Sequence, residues 1–163
     1  MSEKPLADSE IEIVDFHRKY ANMFRDINYE WLEEYFSIEP YDRIVLEDPQ
    51  KNVLDLGGYI LFAVVAGEVL GTCALLKHSP TMYELAKMGV SKPSRGLGVG
   101  RRLLDAAIDR ARHLGTERLI LTTSKQLLAA NKLYESAGFK HTDERLAGPL
   151  PYKRETIVMT MKL

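Results

Sequence analysis

The chain has 163 residues, which suits one domain with its own hydrophobic core, and its formal net charge at pH 7 is −1. Near-neutral charge argues against general nucleic-acid binding, and no apolar run is long enough for a membrane-spanning helix. The four histidines lack metal-ligand spacing and Cys73 is the only cysteine, so we expect neither a metal site nor an intrachain disulfide. The single cysteine, and an N-terminus without a signal-peptide core, favour a cytoplasmic protein.

The N-terminal third is predicted to contain a short strand followed by helices. Ile11 and Ile13 alternate with charged residues, which indicates the strand. Residues 17–36 carry aromatic and aliphatic side chains at helical spacing, and we expect two helices with a break near residues 27–28. Residues 48–52 contain Asp, Pro and Asn and indicate a turn.

Residues 26–48 are strongly acidic, with eight acids against one base, Arg43. These acids are Asp26, Glu30, Glu33, Glu34, Glu39, Asp42, Glu47 and Asp48. One interpretation is that they form the solvated face of a helix, which is the usual role of a charge run. The other is that part of the run attracts a cationic substrate through its electrostatic field.

The middle of the chain is predicted to form strands. Residues 59–65 and 68–76 have the composition of two strands of a hairpin, joined by a tight connection at residues 66–67. Cys73 lies inside the second strand. Core packing is favoured there over an acyl-cysteine mechanism, because no partner base is visible in the sequence. Residues 82–90 form the next strand.

The C-terminal half is predicted to continue the alternation of helices and strands. Residues 99–114 have one apolar face at helical spacing and are followed by Gly115, a usual helix terminator. Residues 118–123 form a strand that we expect to run parallel to the strand at 82–90, joined by a crossover. The remaining elements are a helix at 126–137 and strands at 140–145 and 156–162.

A glycine-rich, basic segment precedes the helix at 99–114. Gly96, Gly98 and Gly100 occupy the helix start, where Ser, Thr, Asp or Asn would normally cap the free backbone N–H groups. Free N–H groups and the positive end of the helix dipole predict an anion site, most naturally for a phosphate. The alternative is a flexible loop before an ordinary helix. The bases in the same interval are Lys87, Lys92, Arg95, Arg101 and Arg102.

Two common phosphate motifs do not fit this segment. No Lys-Ser or Lys-Thr follows Gly100, as the P-loop requires, and the glycine spacing is G-x-G-x-G rather than G-x-G-x-x-G. The segment therefore suits a pyrophosphate carried by another cofactor. A nucleotide- or phosphate-binding protein of another family stays open as a competing hypothesis.

The loop also carries a family signature. Residues 95–100, Arg-Gly-Leu-Gly-Val-Gly, resemble the R/Q-x-x-G-x-G/A acyl-CoA motif of the GNAT superfamily of N-acyltransferases, and residues 90–95 resemble the turn that precedes it. Residues 131–139, Asn-Lys-Leu-Tyr-Glu-Ser-Ala-Gly-Phe, resemble a second motif of that superfamily in a form one residue shorter. By these two motifs the chain is identified as a member over about residues 58–163.

The resemblance implies an α/β fold, a three-layer α-β-α sandwich around a mixed, strongly twisted sheet of about six or seven strands. Residues 1–163 are expected to form a single N-acetyltransferase domain. The implied reaction moves an acetyl group from acetyl-CoA to a primary amine by direct attack in a ternary complex. A catalytically silent acyl-CoA-binding module of the same fold is the alternative. The amine is unidentified, the acidic segment favours a cationic one, and a homodimer is compatible with the family.

Two residues are predicted to be catalytic. Glu84 lies six residues before Val90, where members that use a catalytic glutamate place it. On the alternating strand Glu84 shares a face with apolar side chains, and partial burial would raise its pKa toward that of a general base; the alternative is an exposed edge glutamate. A bulge, expected from the resemblance and permitted by Gly89, would change these faces. Tyr134 is implied to donate a proton or hydrogen bond to the leaving sulfur, the alternative being a packed aromatic.

The coenzyme site is predicted to combine the glycine loop with the strand before it and with the second motif. Backbone near residues 88–90 is expected to align the pantetheine arm and to polarise the thioester carbonyl. Asn131 is implied to hydrogen-bond the arm, the alternative being a tolerated surface residue, and residues 147–154 are expected to border the acceptor site. The predicted coenzyme residues are Met88, Gly89, Val90, Arg95, Gly96, Leu97, Gly98, Val99, Gly100, Arg101, Thr123, Asn131 and Tyr134.

Overall fold

The computed structural model describes residues 10–144, 146, 148 and 150–163. Residues 1–9, Arg145 at the end of the predicted strand 140–145, and residues 147 and 149 of the predicted loop lie outside the described residues. In the part that is described, no helix has both the length and the apolar character needed to cross a membrane.

The described strands form one mixed sheet. They are β1 (Glu12–Asp15), β2 (Tyr59–Val65), β3 (Glu68–Ser79), β4 (Met82–Val90), β5 (Arg118–Thr123), β6 (Lys140–Thr142) and β7 (Ile157–Lys162). Their spatial order is β1-β2-β3-β4-β5-β7-β6. β4 and β5 run parallel, as predicted, and the other neighbours pair antiparallel.

Helices cover both faces of the sheet, which confirms the predicted α/β sandwich. They are α1 (Ala21–Tyr35), α2 (Pro40–Glu47), α3 (Val99–His113) and α4 (Leu128–Ala137). On one face, α1 and α2 bury side chains such as Phe24 and Leu46 against Phe62 of β2. On the other face, the predicted apolar stripe of α3, including Leu103 and Leu104, is buried with α4 side chains.

Two predictions about the N-terminal third are wrong. Residues 21–35 form one continuous helix instead of two helices with a break near residues 27–28. Asn28 is compatible with the helix interior because its buried amide donates to Phe24 O and accepts from Trp31 Nε1, at 2.8 and 2.9 Å. The predicted turn at residues 48–52 is largely helical instead, because a π-helical turn, Gln50–Leu54, begins directly after Pro49.

A buried ionic cluster joins α2 to β4 and to the segment before β7. Asp42 is fully buried and accepts hydrogen bonds from Lys87 Nζ at 2.7 Å and from the Arg154 guanidinium at 2.9 Å. Arg154 also bonds Glu39, and Lys87 also donates to the Tyr152 hydroxyl at 3.0 Å. Burial alone would raise the pKa of Asp42, but these hydrogen bonds and positive charges outweigh it and lower the pKa to about 2. Burial lowers the pKa of Lys87.

We predict that Asp42→Asn lowers the free energy of unfolding by about 3 kcal/mol at neutral pH, because Lys87 and Arg154 lose the charge that compensates their burial. Folding lowers the pKa of Asp42 from 3.8 to about 2. The charge of Asp42 therefore stabilises the fold above pH 3.8, and this contribution disappears as the pH falls through about 2. Chemical denaturation of both proteins across this range should show a difference that shrinks in acid.

Asp26→Asn is the matched control, because Asp26 is an exposed carboxylate on α1. We expect it to change the free energy of unfolding by less than about 0.5 kcal/mol. Equal losses in the two variants, or a loss in Asp42→Asn that persists unchanged in acid, would contradict the role assigned to the cluster.

Candidate active site

β4 and β5 diverge after four paired residues. Residues 82–85 of β4 pair with residues 118–121 of β5, and β4 has no partner on β5 beyond that point. The cause is a bulge at which Lys87 and Met88 together oppose Cys73 of β3, with Lys87 in the left-handed region at a φ of 51°. The free backbone edge of residues 86–90 consequently lines a cleft of about 720 Å³ between the two strands.

The bulge changes which residues of β4 share a face. Simple alternation along β4 predicts that Lys87 lies on the same face of the strand as Leu85 and on the opposite face from Glu84. Lys87 instead reaches α2, on the face where Glu84 also lies, whereas Met88 packs on the core side covered by α3. The expected bulge is therefore present, although its unusual backbone is at Lys87 rather than at Gly89. Gly89 has a different role, because a Cβ there would lie 2.8 Å from Trp31 Cδ1.

The start of α3 closes one end of the cleft with unpaired backbone donors. Gly98 is the N-cap at a φ of 87°, and no side chain caps the helix. The N–H of Arg102 bonds the Gly98 carbonyl at 3.2 Å, which leaves the N–H groups of residues 99–101 without a helical acceptor. Gly96, at a φ of 81°, has open space around it. Uncapped N–H groups at a positive helix end, lining a cleft, have the geometry of an anion site.

Acids of α1 brace the glycine loop. Glu30 accepts a hydrogen bond from the Lys92 backbone N–H at 2.7 Å, and Glu34 pairs with Arg95 at 2.9 Å. Glu39 and Asp42 belong to the buried cluster. Much of the acidic run therefore stabilises the protein itself, which neither interpretation from the sequence anticipated.

α4 and the end of β5 form the opposite wall of the cleft. Thr123 donates to Asn131 Oδ1 at 2.8 Å, and Asn131 Nδ2 donates to the Ser124 carbonyl at 2.9 Å. Asn131 is therefore buried and holds the end of β5, so it is not the tolerated surface residue of the alternative interpretation. Tyr134 lines the cleft, and its hydroxyl has no hydrogen-bond partner among the described residues. Burial raises the pKa of Tyr134 to about 12.

The cleft brings most of the predicted coenzyme residues together. Leu97 and Asn131 are the two that do not line it, because Leu97 packs against the core below α3 and Asn131 bonds within the protein. The functional roles of all these residues stay predictions. The predicted coenzyme residues that line the cleft are Met88, Gly89, Val90, Arg95, Gly96, Gly98, Val99, Gly100, Arg101, Thr123 and Tyr134.

A smaller cavity of about 70 Å³ adjoins the cleft and contains Glu84 in its wall. Tyr152 and Arg154, from the loop expected to border an acceptor site, line the same cavity. Glu84 Oε1 lies 2.8 Å from His78 Nε2, with the two side chains 16% and 25% exposed. The hydrogen bond to Glu84 raises the pKa of His78. Glu84 is therefore a half-buried, oriented carboxylate rather than an exposed edge residue.

Several residues in this cavity, or in contact with its wall, were not predicted from the sequence. His78, which contacts Glu84, lies beyond the predicted strand 68–76, because β3 extends to Ser79 and pairs with the start of β4. Trp31 lies in the predicted helical segment 17–36, and helical spacing alone does not indicate that its ring packs over Gly89 of β4. Lys87 offered the clearest signal, since a lysine between the apolar residues Ala86 and Met88 of a strand requires a compensating partner when buried.

We predict that Glu34→Gln raises the Kd for coenzyme A by no more than about fivefold, because a half-exposed ion pair that positions Arg95 contributes up to about 1 kcal/mol. Titration calorimetry at low and high salt would measure this, and the difference should decrease as salt screens the pair. Glu33→Gln is the matched control on the same helix turn. Equal effects of the two substitutions would contradict a bracing role for Glu34.

Comparisons with known proteins agree with this architecture. The sequence model of the acetyltransferase (GNAT) family matches residues 21–139. An uncharacterized N-acetyltransferase of Bacillus subtilis is 30% identical over 105 residues, which are 63% of this chain and 68% of that protein. The matched segment spans 68% of that protein, but only 29% of an N-acetylaspartate synthetase of Rattus norvegicus.

Solved structures share the fold over nearly the whole chain. A GNAT-family acetyltransferase from Staphylococcus aureus superposes with a TM-score of 0.82 at 24% identity, covering 93% of this chain and 98% of that one. An acetyltransferase from Salmonella typhimurium, solved with its cofactor acetyl-CoA, has a TM-score of 0.71 at 19% identity and covers 94% of each chain.

Proposed function

Because the chain belongs to the acetyltransferase (GNAT) family, we propose that it transfers the acetyl group of acetyl-CoA to a primary amine by direct attack in a ternary complex. The observation that carries this proposal is the continuity of one cleft. It runs from the uncapped start of α3, past the free edge of β4, to the cavity that contains Glu84. An anion site, a backbone platform and an oriented carboxylate thus follow one another in the order that such a reaction requires.

The residues of the cleft fit acetyl-CoA as a substrate. The free N–H groups of residues 99–101 would bind the pyrophosphate, with Arg101 adding positive charge at the rim. The unpaired edge of residues 86–90 offers backbone donors and acceptors to the amide groups of the pantetheine arm, as an added strand would use them. A backbone N–H of residues 88–90 would polarise the thioester carbonyl.

Glu84 is the proposed general base. Its carboxylate lies in the wall of the small cavity, where an amine must lose a proton before it attacks, directly or through a water molecule. His78 orients this carboxylate by the 2.8 Å contact. Both side chains keep some contact with solvent, which gives the proton a route out of the site.

Tyr134 is proposed to assist departure of the thiolate. Its pKa of about 12 keeps the phenol protonated, so it can donate a hydrogen bond. A thiol has an ordinary pKa of about 8.5, so complete proton transfer from Tyr134 to the thiolate is unfavourable. Stabilisation of the developing negative charge is the better role for this hydroxyl.

The acceptor is proposed to be a primary amine, and attraction of a cationic one stays a prediction that rests on the exposed acids of α1. Glu33 is the appropriate residue to test it, because Glu30 and Glu34 also hold the glycine loop. A single N-acetyltransferase domain, a homodimer and a cytoplasmic location likewise stay predictions of the sequence.

We predict that Glu84→Gln lowers kcat at least about 100-fold, the range usual for a general base. Tyr134→Phe should lower kcat by about tenfold, since it removes one hydrogen bond and preserves the ring. Steady-state release of coenzyme A across a panel of amines measures both effects. Unchanged turnover in both variants would contradict these roles, and a wild-type protein that binds acetyl-CoA but acetylates no amine would favour the silent binding module.

The coenzyme site itself is tested by titration calorimetry with acetyl-CoA. Gly100→Glu places a carboxylate at the positive end of α3 and should weaken binding at least tenfold more than Gly100→Gln, a neutral side chain of the same size. Gly100 suits this test because its φ is not positive and a Cβ there meets only ordinary contacts, the nearest at 3.5 Å. ATP and NAD should not compete. Their competition, or the absence of acetyl-CoA binding, would contradict the proposed function.

A further inference from the structure

The indole of Trp31 lies at the junction of the two cavities. It lines both the large cleft and the small cavity that contains Glu84. The other residues common to the two cavities are Ala86, Lys87, Thr122, Thr123 and Leu127. Trp31 therefore forms part of the boundary between the two cavities.

Three contacts hold the Trp31 ring in place. Its Nε1 donates to Asn28 Oδ1 at 2.9 Å, and Asn28 is itself fixed by the Phe24 carbonyl. Phe36 packs edge-on against the indole, with 6.5 Å between ring centroids. The absent side chain of Gly89 leaves the space that the indole occupies, since a Cβ there would approach Trp31 to 2.8 Å. Trp31 is thus a rigid wall, because rotation of its ring would break a hydrogen bond and meet the β4 backbone.

We propose that Trp31 sets the acyl-chain length that this enzyme accepts, admitting acetyl and excluding longer straight chains. The inference rests on the proposed function, because it takes the thioester to lie at the β4 bulge and the attacking amine to lie beside Glu84. The acyl group is then at the junction of the two cavities. The cavity beyond Trp31 is small, about 70 Å³ against about 720 Å³ for the cleft, and it must also hold the amine, so it limits how far an acyl chain can extend.

The side chains at the junction favour selection of the acyl group by its length and not by its polarity. Ala86 contributes a single methyl group to the opposite wall, and Leu127 contributes an apolar side chain. Trp31 is the largest side chain at this point, so its truncation creates the most space. A rigid wall rejects a longer chain by steric exclusion, and not only through the gain or loss of contacts with each methylene.

Calorimetric Kd values for coenzyme A, acetyl-CoA and butyryl-CoA test the proposal without knowledge of the acceptor. Wild-type protein should bind butyryl-CoA at least tenfold more weakly than acetyl-CoA. Trp31→Ala should reduce this ratio below about threefold, and the Kd of the same variant for unacylated coenzyme A separates this change from a general loss of coenzyme binding. Trp31→Phe, which keeps an aromatic ring against Gly89, should give an intermediate ratio and serves as the second variant if Trp31→Ala folds poorly.

Tyr35→Ala is the matched control. Tyr35 lies one helix turn after Trp31 and lines the large cleft without reaching the small cavity, so its removal should leave the chain-length ratio at the wild-type value. Equal affinity of wild type for acetyl-CoA and butyryl-CoA would overturn the proposal, as would a wild-type ratio in Trp31→Ala or Trp31→Phe. Wild-type protein that binds no acyl-CoA at all would instead refute the proposed function.

Discussion

The bulge in β4 is the constraint on which the rest of the site depends. A non-glycine residue in the left-handed region, as Lys87 is at a φ of 51°, costs about 1–2 kcal/mol. The conformation is offset by what Lys87 reaches, a fully buried Asp42 at 2.7 Å and the Tyr152 hydroxyl at 3.0 Å. The buried ions thus hold the strand in the shape that separates β4 from β5. The cleft, its free backbone edge and the position of Glu84 follow from that separation.

α1 connects the two ends of this cleft. Through Glu30 and Glu34 it holds the loop that begins α3, and through Trp31 it closes the cleft against Gly89 of β4. Two of the acids of α1 therefore position the glycine loop that begins α3. The start of α3 and the bulged end of β4 are thus both positioned relative to the same helix.

The parts of the fold that could be predicted from the sequence are those that depend on local residue patterns. The apolar stripe of α3, the hairpin at residues 66–67 and the uncapped glycine loop all depend on residues close together in the chain, and the structure contains each of them. The partners of the charged residues were not predictable. Lys87 is 45 residues from Asp42, and Arg154 is 112 residues from it, so no spacing relates them. The unbroken α1 depended on internal hydrogen bonds of Asn28, which propensity alone does not reveal.

Hydrogen–deuterium exchange with and without acetyl-CoA would show whether the coenzyme binds the free edge of β4 and the start of α3, because it reports on these backbone N–H groups. We predict slower exchange at residues 86–90 and 98–101 when acetyl-CoA is bound, with α2 unchanged. Protection confined to other segments, or no protection at the β4 edge despite binding, would show that the separation of β4 from β5 does not form the coenzyme site.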